Sequence, residues 1–312
     1  MKVLVAGASG ALGVPLTRQL IARGHRVLGL TRDQAGARRL EALGAEPVVA
    51  DALDRDRLVR AVEGRWADAV IHELTALRKA PTRHRGMALT DRLRSEGTTN
   101  LLAAADELGA KRFLTQSIIL GYGYRDHGPE PLTEDAPFGR PAGDRSDPHL
   151  AAMLSTEQQA FTAPEGIALR YGLLYGGDAQ MRALLARRGL PVVRGGLLGW
   201  LHHEDAAAAT VAALERGRPG QAYNLVDDLP ATWREVYTEM ARAFGAPPPR
   251  KVPRWLFRLA APYVASFAVD TSMRVSNAKA RTELGWRPMF PTYHDGIRAM
   301  ADADHPQRAE EP

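Results

Sequence analysis

Two side chains in the stretch SDPHLAAMLSTEQQAF, which begins at Ser146, set the chemical question. His149 and Met153 lie four residues apart and share one face of the helix that this pattern predicts. An imidazole titrates near neutral pH and can serve as acid or base. A thioether donates no hydrogen bond and carries no charge. Asp147 reads as the N-cap and Pro148 as the first helical residue, so His149 falls in the first turn, where the helix dipole disfavours the imidazolium. A neutral ring there could pass a proton without a lysine; the alternative is a pocket-wall or surface histidine. Met153 keeps helical spacing with Leu150, Leu154, Glu157 and Phe161, a stripe that reads as packing.

A second constellation opens the chain. KVLVAG (2–7) is an apolar run too short for a helix and reads as a buried strand. It enters GASGALG, with Gly7, Gly10 and Gly13 separated by Ala8, Ser9, Ala11 and Leu12, and a helical stretch follows. Glycines in that context let the backbone turn tightly and approach a pyrophosphate, while the helix offers unpaired N–H groups and a positive end.

The elements that must position these residues alternate strand and helix from the N-terminus to KRFLTQS (111–117), which argues an α/β fold of Rossmann type, a doubly wound parallel sheet. Residues 121–148 are rich in Gly, Pro and Asp and read as a long loop. We expect a dinucleotide-binding lobe at 1–176 with 201–226 returning to it, a smaller C-terminal substrate lobe at 177–200 and 227–302, and a frayed polar tail at 303–312.

Composition narrows the class. The chain has 312 residues, 45% hydrophobic and 25% charged, as in a soluble globular protein. It has no cysteine, which removes thiolate catalysis, disulfides and Cys-ligated metals. The net charge is +5, but the arginines are spread along the chain and not gathered with aromatics into a nucleic-acid stripe. The apolar segment 255–269 is broken by Arg258 and Pro262 and is too short for a membrane span. No signal-peptide pattern precedes Val3, so a cytoplasmic location is expected. HHED (202–205) could hold a metal, but Glu204 and Asp205 read better as caps of the helix they open, and no metal is expected.

The GxxGxxG spacing resembles the extended branch of the short-chain dehydrogenase/reductases, the NAD-dependent epimerase/dehydratase family. Further similar segments are VIHELTA (70–76), EGTTNLLAAA (96–105), LRYGLLYG (169–176), HHEDAAAATVAAL (202–214), YNLVDD (223–228) and SNAKARTELGW (276–286). The resemblance implies cofactor contacts from Asp51 and Ala52 after the third strand, from Leu74 and Thr75 after the fourth, and from Tyr171 beside the nicotinamide. At the end of the second strand stand Thr31 and Arg32, where an acidic residue would select NAD; a guanidinium fits a 2′-phosphate, so NADP is favoured with NAD the alternative.

Relatives carry Tyr-x-x-x-Lys on the catalytic helix and a serine after the fifth strand. Here His149 and Met153 stand at the tyrosine and lysine positions, and none of the eight tyrosines has a lysine four residues later. Lysine occurs only at 2, 79, 111, 251 and 279. Ser117 either orients the substrate oxygen or lies one residue early, with Ile118 in the serine slot. Tyr122, Tyr124 and His127 are rival proton donors. The expectation is an atypical NAD(P)-dependent oxidoreductase or epimerase-like enzyme acting on a small carbonyl or hydroxyl compound. The alternatives are a non-redox isomerase, dehydratase or cyclase with a structural cofactor, or an NADP-sensing binding protein. The substrate is expected to be small and fairly hydrophobic, against the 255–269 stretch, with no nucleic-acid or membrane partner, and the protein a monomer or homodimer.

Overall fold

The computed structural model describes residues 1–77, 81–176, 184, 186 and 191–304. Short runs of aliphatic residues pair laterally because no one of them can satisfy its backbone alone. The strands are β1 (Lys2–Ala6), β2 (Arg26–Thr31), β3 (Glu46–Val49), β4 (Ala69–His72), β5 (Arg112–Ile118), β6 (Asp126–Leu132), β7 (Glu165–Tyr171), β8 (Leu173–Tyr175), β9 (Leu197–Leu198), β10 (Trp200–His202), β11 (Gln221–Leu225), β12 (Ala231–Thr232) and β13 (Ser272–Val275). Seven of them form one parallel sheet in the order β11-β7-β5-β4-β1-β2-β3. This is the doubly wound sheet that the alternating pattern predicts.

Alternation along β1 sends Val3 and Val5 to one face and Leu4 and Ala6 to the other. Helix α1 (Gly13–Ala22) and the helix His203–Arg216 cover the first face, through Leu16, Leu20, Ala206 and Ala213. On the second face lie α3 (Arg55–Val62) and α5 (Thr98–Glu107), through Leu58 and Leu101. Between α1 and α3, helix α2 (Gln34–Ala42) contributes Leu40 to the first face. The strand order runs outward in both directions from β1, so the C-terminal ends of β1 and β4 form the switch point, the place where such sheets bind ligands.

The segment expected as loop at 121–148 is partly ordered strand. A 3-10 turn at Ile119–Tyr122 leads into β6, which pairs with β13 from far along the chain. Sequence pattern missed β6 because DHGPEPL is polar and is held by a partner about 140 residues away. A second apolar core gathers Leu198, Trp200, Trp233, Tyr237 and Ile297 with Ile119, Tyr122 and Met153, so the C-terminal residues share their core with the segments around β5 and α6 (Asp147–Ala160). Met153 is packing, 1% exposed. Of the expected tail, residues up to Asp304 belong to the helix Tyr293–Asp304; 305–312, Lys79 and most of 177–190 lie outside the described residues.

One buried network ties these parts. Arg170 on β7 grips Glu157 on α6 (Nη2 to Oε2 2.8 Å, Nε to Oε1 3.0 Å), and its Nη1 donates to the Tyr122 hydroxyl at 3.0 Å. Tyr122 donates in turn to Asn224 Oδ1 on β11 at 2.8 Å. Both charged side chains are nearly shut from water, 9% and 3% exposed, so removing one strands the other. Glu157→Ala is expected to lower the unfolding free energy by about 3–5 kcal/mol in urea denaturation, and Tyr122→Phe by about 1–2 kcal/mol. A loss below 1 kcal/mol for Glu157→Ala would show that the pair does not hold the two regions together.

Candidate functional site

The mouth of α1 is bare. Gly7 adopts φ +98°, and a Cβ there would stand 2.7 Å from the Glu73 carbonyl oxygen beyond β4. The Gly10 N–H closes the turn on the Gly7 carbonyl (2.9 Å), and a Cβ on Gly13 would collide with that oxygen. Leu12 occupies the N-cap without a side-chain cap, and the first turn of α1 holds no acid. Ser9 is half-buried, while Gly10 and Ala11 are open to solvent. An uncapped helix end beneath a side-chain-free turn matches a pyrophosphate.

The other residues expected at the cofactor follow the C-terminal ends of β2, β3 and β4. Thr31 is buried at the end of β2 and Arg32 exposed beside it. Asp33 caps α2, accepting from the Gly36 N–H at 2.7 Å. Asp51 is exposed and accepts from the Leu53 N–H at 2.9 Å. Buried Ala52 is held by Asn100, whose amide donates to its carbonyl at 2.8 Å, a support that no motif announced. Leu74 and Thr75 are half-buried after β4. The Leu74 N–H meets His72 Nδ1 at 3.2 Å while His72 Nε2 reaches the Leu93 carbonyl at 3.2 Å, so the ring is a neutral strut with its proton on Nε2. Burial holds its pKa near 4.

Below the turn, Tyr171 is 1% exposed; its hydroxyl lies 2.8 Å from Glu73 Oε1 and 2.6 Å from Thr210 Oγ1. Thr210 spends its own proton on the Ala206 carbonyl. The short Tyr171–Thr210 contact therefore needs the phenol proton, which leaves Glu73 to supply the proton between itself and Tyr171. A neutral Glu73 satisfies that count, and burial raises its pKa to about 8. Tyr171, expected beside the nicotinamide, is instead bonded through its hydroxyl to this buried floor.

His149 sits in a relay. Its Nδ1 is 2.7 Å from Asp91 Oδ2 on α4 (Ala88–Arg92), and its Nε2 is 3.0 Å from His84 Nδ1 on the 3-10 turn His84–Met87. The two rings are nearly coplanar, 5° apart, and the ring of Tyr263 stands edge-on to both. The Arg145 backbone lies beside His84. His149 is 2% exposed, whereas His84 is half-buried and reaches a cleft of about 230 Å³ lined by Arg83, Arg85, Arg145 and Pro262. Burial, then the His149 and Arg145 charges, lower the His84 pKa. A larger cleft between α3 and α5 contains none of these residues. Neither His84 nor Asp91 was legible, being 65 and 58 residues from His149 with no motif between them.

Several expected roles change. Asp147 is not the N-cap: Ser146 occupies that position, and the Asp147 carboxylate accepts the Ala142 and Gly143 N–H groups at 2.8 Å, bracing the preceding loop. Tyr122 is withdrawn as proton donor, because its hydroxyl is engaged in the Arg170–Asn224 network and burial raises its pKa. His127 is pinned to the Gly123 carbonyl at 3.0 Å. Ser117 shares with Thr115 the face of β5 toward α6, but it is fully buried with no hydrogen-bond partner among the described residues, out of a substrate's reach. Glu204 and Asp205 do not cap their helix; His202 does, Glu204 binds Arg18 and Gln19, and Asp205 holds the N–H groups of Met289 and Phe290. No grouping that could hold a metal occurs among the described residues. Within 255–269, Pro262 and Tyr263 reach the cleft region, whereas Trp255 and Leu259 project outward, 67% and 72% exposed. No helix among the described residues is long and apolar enough to cross a membrane.

A switch-point sheet with a bare helix mouth defines a dinucleotide-binding α/β enzyme. The chain belongs to the NAD-dependent epimerase/dehydratase family, whose model matches residues 3–225. It is 38% identical over 311 residues to a 3-diazoavenalumate denitrifying reductase of a Streptomyces species, covering 95% of this chain and 99% of that one. To the 2-alkyl-3-oxoalkanoate reductase of Stenotrophomonas maltophilia it is 30% identical, over 79% and 77% of the two chains. In fold it matches the NAD-bound UDP-glucose 4-epimerase of Thermus thermophilus (TM-score 0.75, 25% identity, 97% and 98% covered). It also matches a dTDP-glucose 4,6-dehydratase of Streptomyces venezuelae (TM-score 0.78, 22% identity, 99% and 98% covered). The protein is an NAD(P)-dependent oxidoreductase-type enzyme that uses a nicotinamide cofactor.

The buried ionisable groups give stability a distinctive pH dependence. Glu73 and Asp227 keep their protons to about pH 8 and about 9, while His72 and His202 lose theirs near pH 4, desolvation being the first cause in each case. Below 6.5, the ordinary histidine value, the folded state binds extra carboxyl protons and lacks imidazole protons, and the two slopes oppose. Above it only the carboxyls act: the folded chain holds more protons than the unfolded one, so stability falls as pH rises, by up to about 1.4 kcal/mol per pH unit and group. The melting temperature is expected to be nearly level from pH 5 to 6.5 and to decline from 6.5 to 8, with Asp227→Asn flattening the decline. A melting temperature that climbs between pH 6.5 and 8 would contradict these protonation states.

Proposed function

We propose that the protein is an NADP-dependent reductase of a small electrophilic acid, with the Asp91–His149–His84 relay in place of the tyrosine and lysine. One observation carries the reading: a hydrogen-bonded chain from a half-buried carboxylate through two rings to a cleft wall. Gly7, Ser9, Gly10, Ala11, Leu12 and Gly13 would cradle the pyrophosphate, with Arg32 and Thr31 at the adenosine 2′-phosphate, Asp51 and Ala52 near the adenine, and Leu74 and Thr75 along the nucleotide. Hydride comes from the nicotinamide when the cofactor is bound.

The relay supplies the matching proton. Asp91 orients the His149 ring through its contact with Nδ1. His149 passes its Nε2 proton to His84, and His84 delivers its own to the substrate from the cleft side, as in proton shuttles generally. His149 is on this reading a positioning and re-protonating residue, and His84 the catalytic acid. No role is assigned to Ser117 or Tyr122. Hydride and proton together reduce a carbonyl to an alcohol, or convert a diazo carbon to a C–H-bearing carbon with loss of N₂. The two reductases at 30% and 38% identity are named for an oxo acid and a diazo acid, both written as carboxylates, which supports a small anionic substrate of one of these kinds.

The test follows NADPH absorbance with a 2-alkyl-3-oxoalkanoate and with a diazo-substituted carboxylic acid, alongside N₂ release. One NADPH consumed per alcohol or per N₂ is expected; product without NADPH consumption would replace this reading with a non-redox one. His84→Ala and His149→Ala should each lower kcat at least tenfold with the KM for NADPH within twofold. Asp91→Asn, which keeps the shape of the side chain, should lower kcat severalfold with the KM for NADPH within twofold. Arg32→Ala should weaken NADPH tenfold or more and leave NADH unchanged; equal losses for both would assign the enzyme to NAD.

A further inference from the structure

Arg94 stands in the π-helical turn Leu93–Gly97 that joins α4 to α5. Such turns insert a residue into the helix and redirect side chains, often at functional sites. Here the turn carries a guanidinium indoors: Arg94 is 5% exposed. Its Nε is fully buried without a partner, and among the described residues the guanidinium donates no hydrogen bond and meets no carboxylate at ion-pair distance. The acid one turn earlier, Asp91, directs Oδ2 to His149 instead.

A guanidinium largely withdrawn from water, with no carboxylate at ion-pair distance among the described residues, is unfavourable, so a fold that keeps one does so for a ligand or at a cost in stability. The surroundings specify the ligand. The hydroxyls of Tyr124 and Tyr263 lie together near Arg94, whose charge acts on both phenols, and Tyr124 makes no hydrogen bond of ordinary geometry. Of the other polar neighbours, His72 is neutral and bonded at both nitrogens, and Asp91, whose charge also acts on the two phenols, gives Oδ2 to His149. The same Tyr263 ring packs against His149 and His84, and Asp91, one helical turn before Arg94, bonds His149, so the guanidinium lies on the relay's side of the helix.

We propose that Arg94, with the hydroxyls of Tyr124 and Tyr263, binds the carboxylate of the substrate beside the relay. A planar guanidinium matches a carboxylate with two parallel hydrogen bonds, and two phenols can donate to its remaining lone pairs. The proposal rests on reading the His84 cleft as the substrate site, and it names a residue that pattern alone would place on a solvated helix face.

Titration calorimetry on the NADP⁺-loaded protein, with benzoate and its neutral isostere benzamide, tests it. Benzoate is expected to bind at least tenfold tighter than benzamide, Arg94→Gln to erase that preference, and Tyr124→Phe to weaken benzoate severalfold. His84→Ala should keep the benzoate preference; its survival alongside undiminished turnover in His84→Ala would sink the relay and leave the carboxylate site standing. Equal binding of benzoate and benzamide, no benzoate binding, or a preference that survives in Arg94→Gln would overturn the proposal. Independently, Arg94→Met should raise the melting temperature of the ligand-free protein, since it removes an uncompensated buried charge. A lower melting temperature or a failure to fold would show that the guanidinium serves the fold and not a ligand.

Discussion

The carbonyl of Gly7 governs the architecture. It accepts the Gly10 N–H and leaves no room for a side-chain atom on Gly13, so strand β1 reverses into α1 through bare backbone. The reversal also presses Gly7 against the backbone of Glu73, the residue after β4. Two strand ends are thereby held together at the point where the sheet order changes direction, with a helix end that lacks both cap and acid above them. An anion stabilises such a mouth, and the remaining elements are arranged around what it holds.

On the proposed reading, the relay stands in for the tyrosine–lysine pair that the family resemblance leads one to expect. Met153 cannot tune a neighbour's charge, and it has joined an apolar core with Leu198 and Trp200. Asp91 lies on another helix and bonds the His149 ring directly at 2.7 Å. The hydrogen-bonded chain ends at His84, which lines the cleft.

The protein tolerates several ionisable groups indoors, and they divide by how they are satisfied. Glu157 and Arg170 are paired and bond three elements together. Glu73 is neutral in a hydrogen-bonded chain; Asp227 has neither carboxylate oxygen paired among the described residues. Arg94 has a buried Nε without a partner among the described residues, and it lies near Tyr124 and Tyr263.

Local pattern determined what depends on neighbours in sequence. Strand and helix alternate because aliphatic runs and helical stripes are short-range signals, and the glycine turn is legible because its three residues lie within one reversal. The oddity of His149 and Met153 was visible for the same reason, as a departure at fixed spacing. Pattern failed where a partner comes from far along the chain. Strand β6 looked like a loop because β13 completes it, Asp147 looked like a cap because the loop it braces was unseen, and Tyr122 looked available because Asn224 and Arg170 engage it only in the fold. The relay and the solitary Arg94 belong to the tertiary structure alone. A hydrogen bond of about 3 Å between residues some 60 positions apart leaves no periodic trace in a sequence, and whether a charge has a counter-charge is a property of packing, not of spacing.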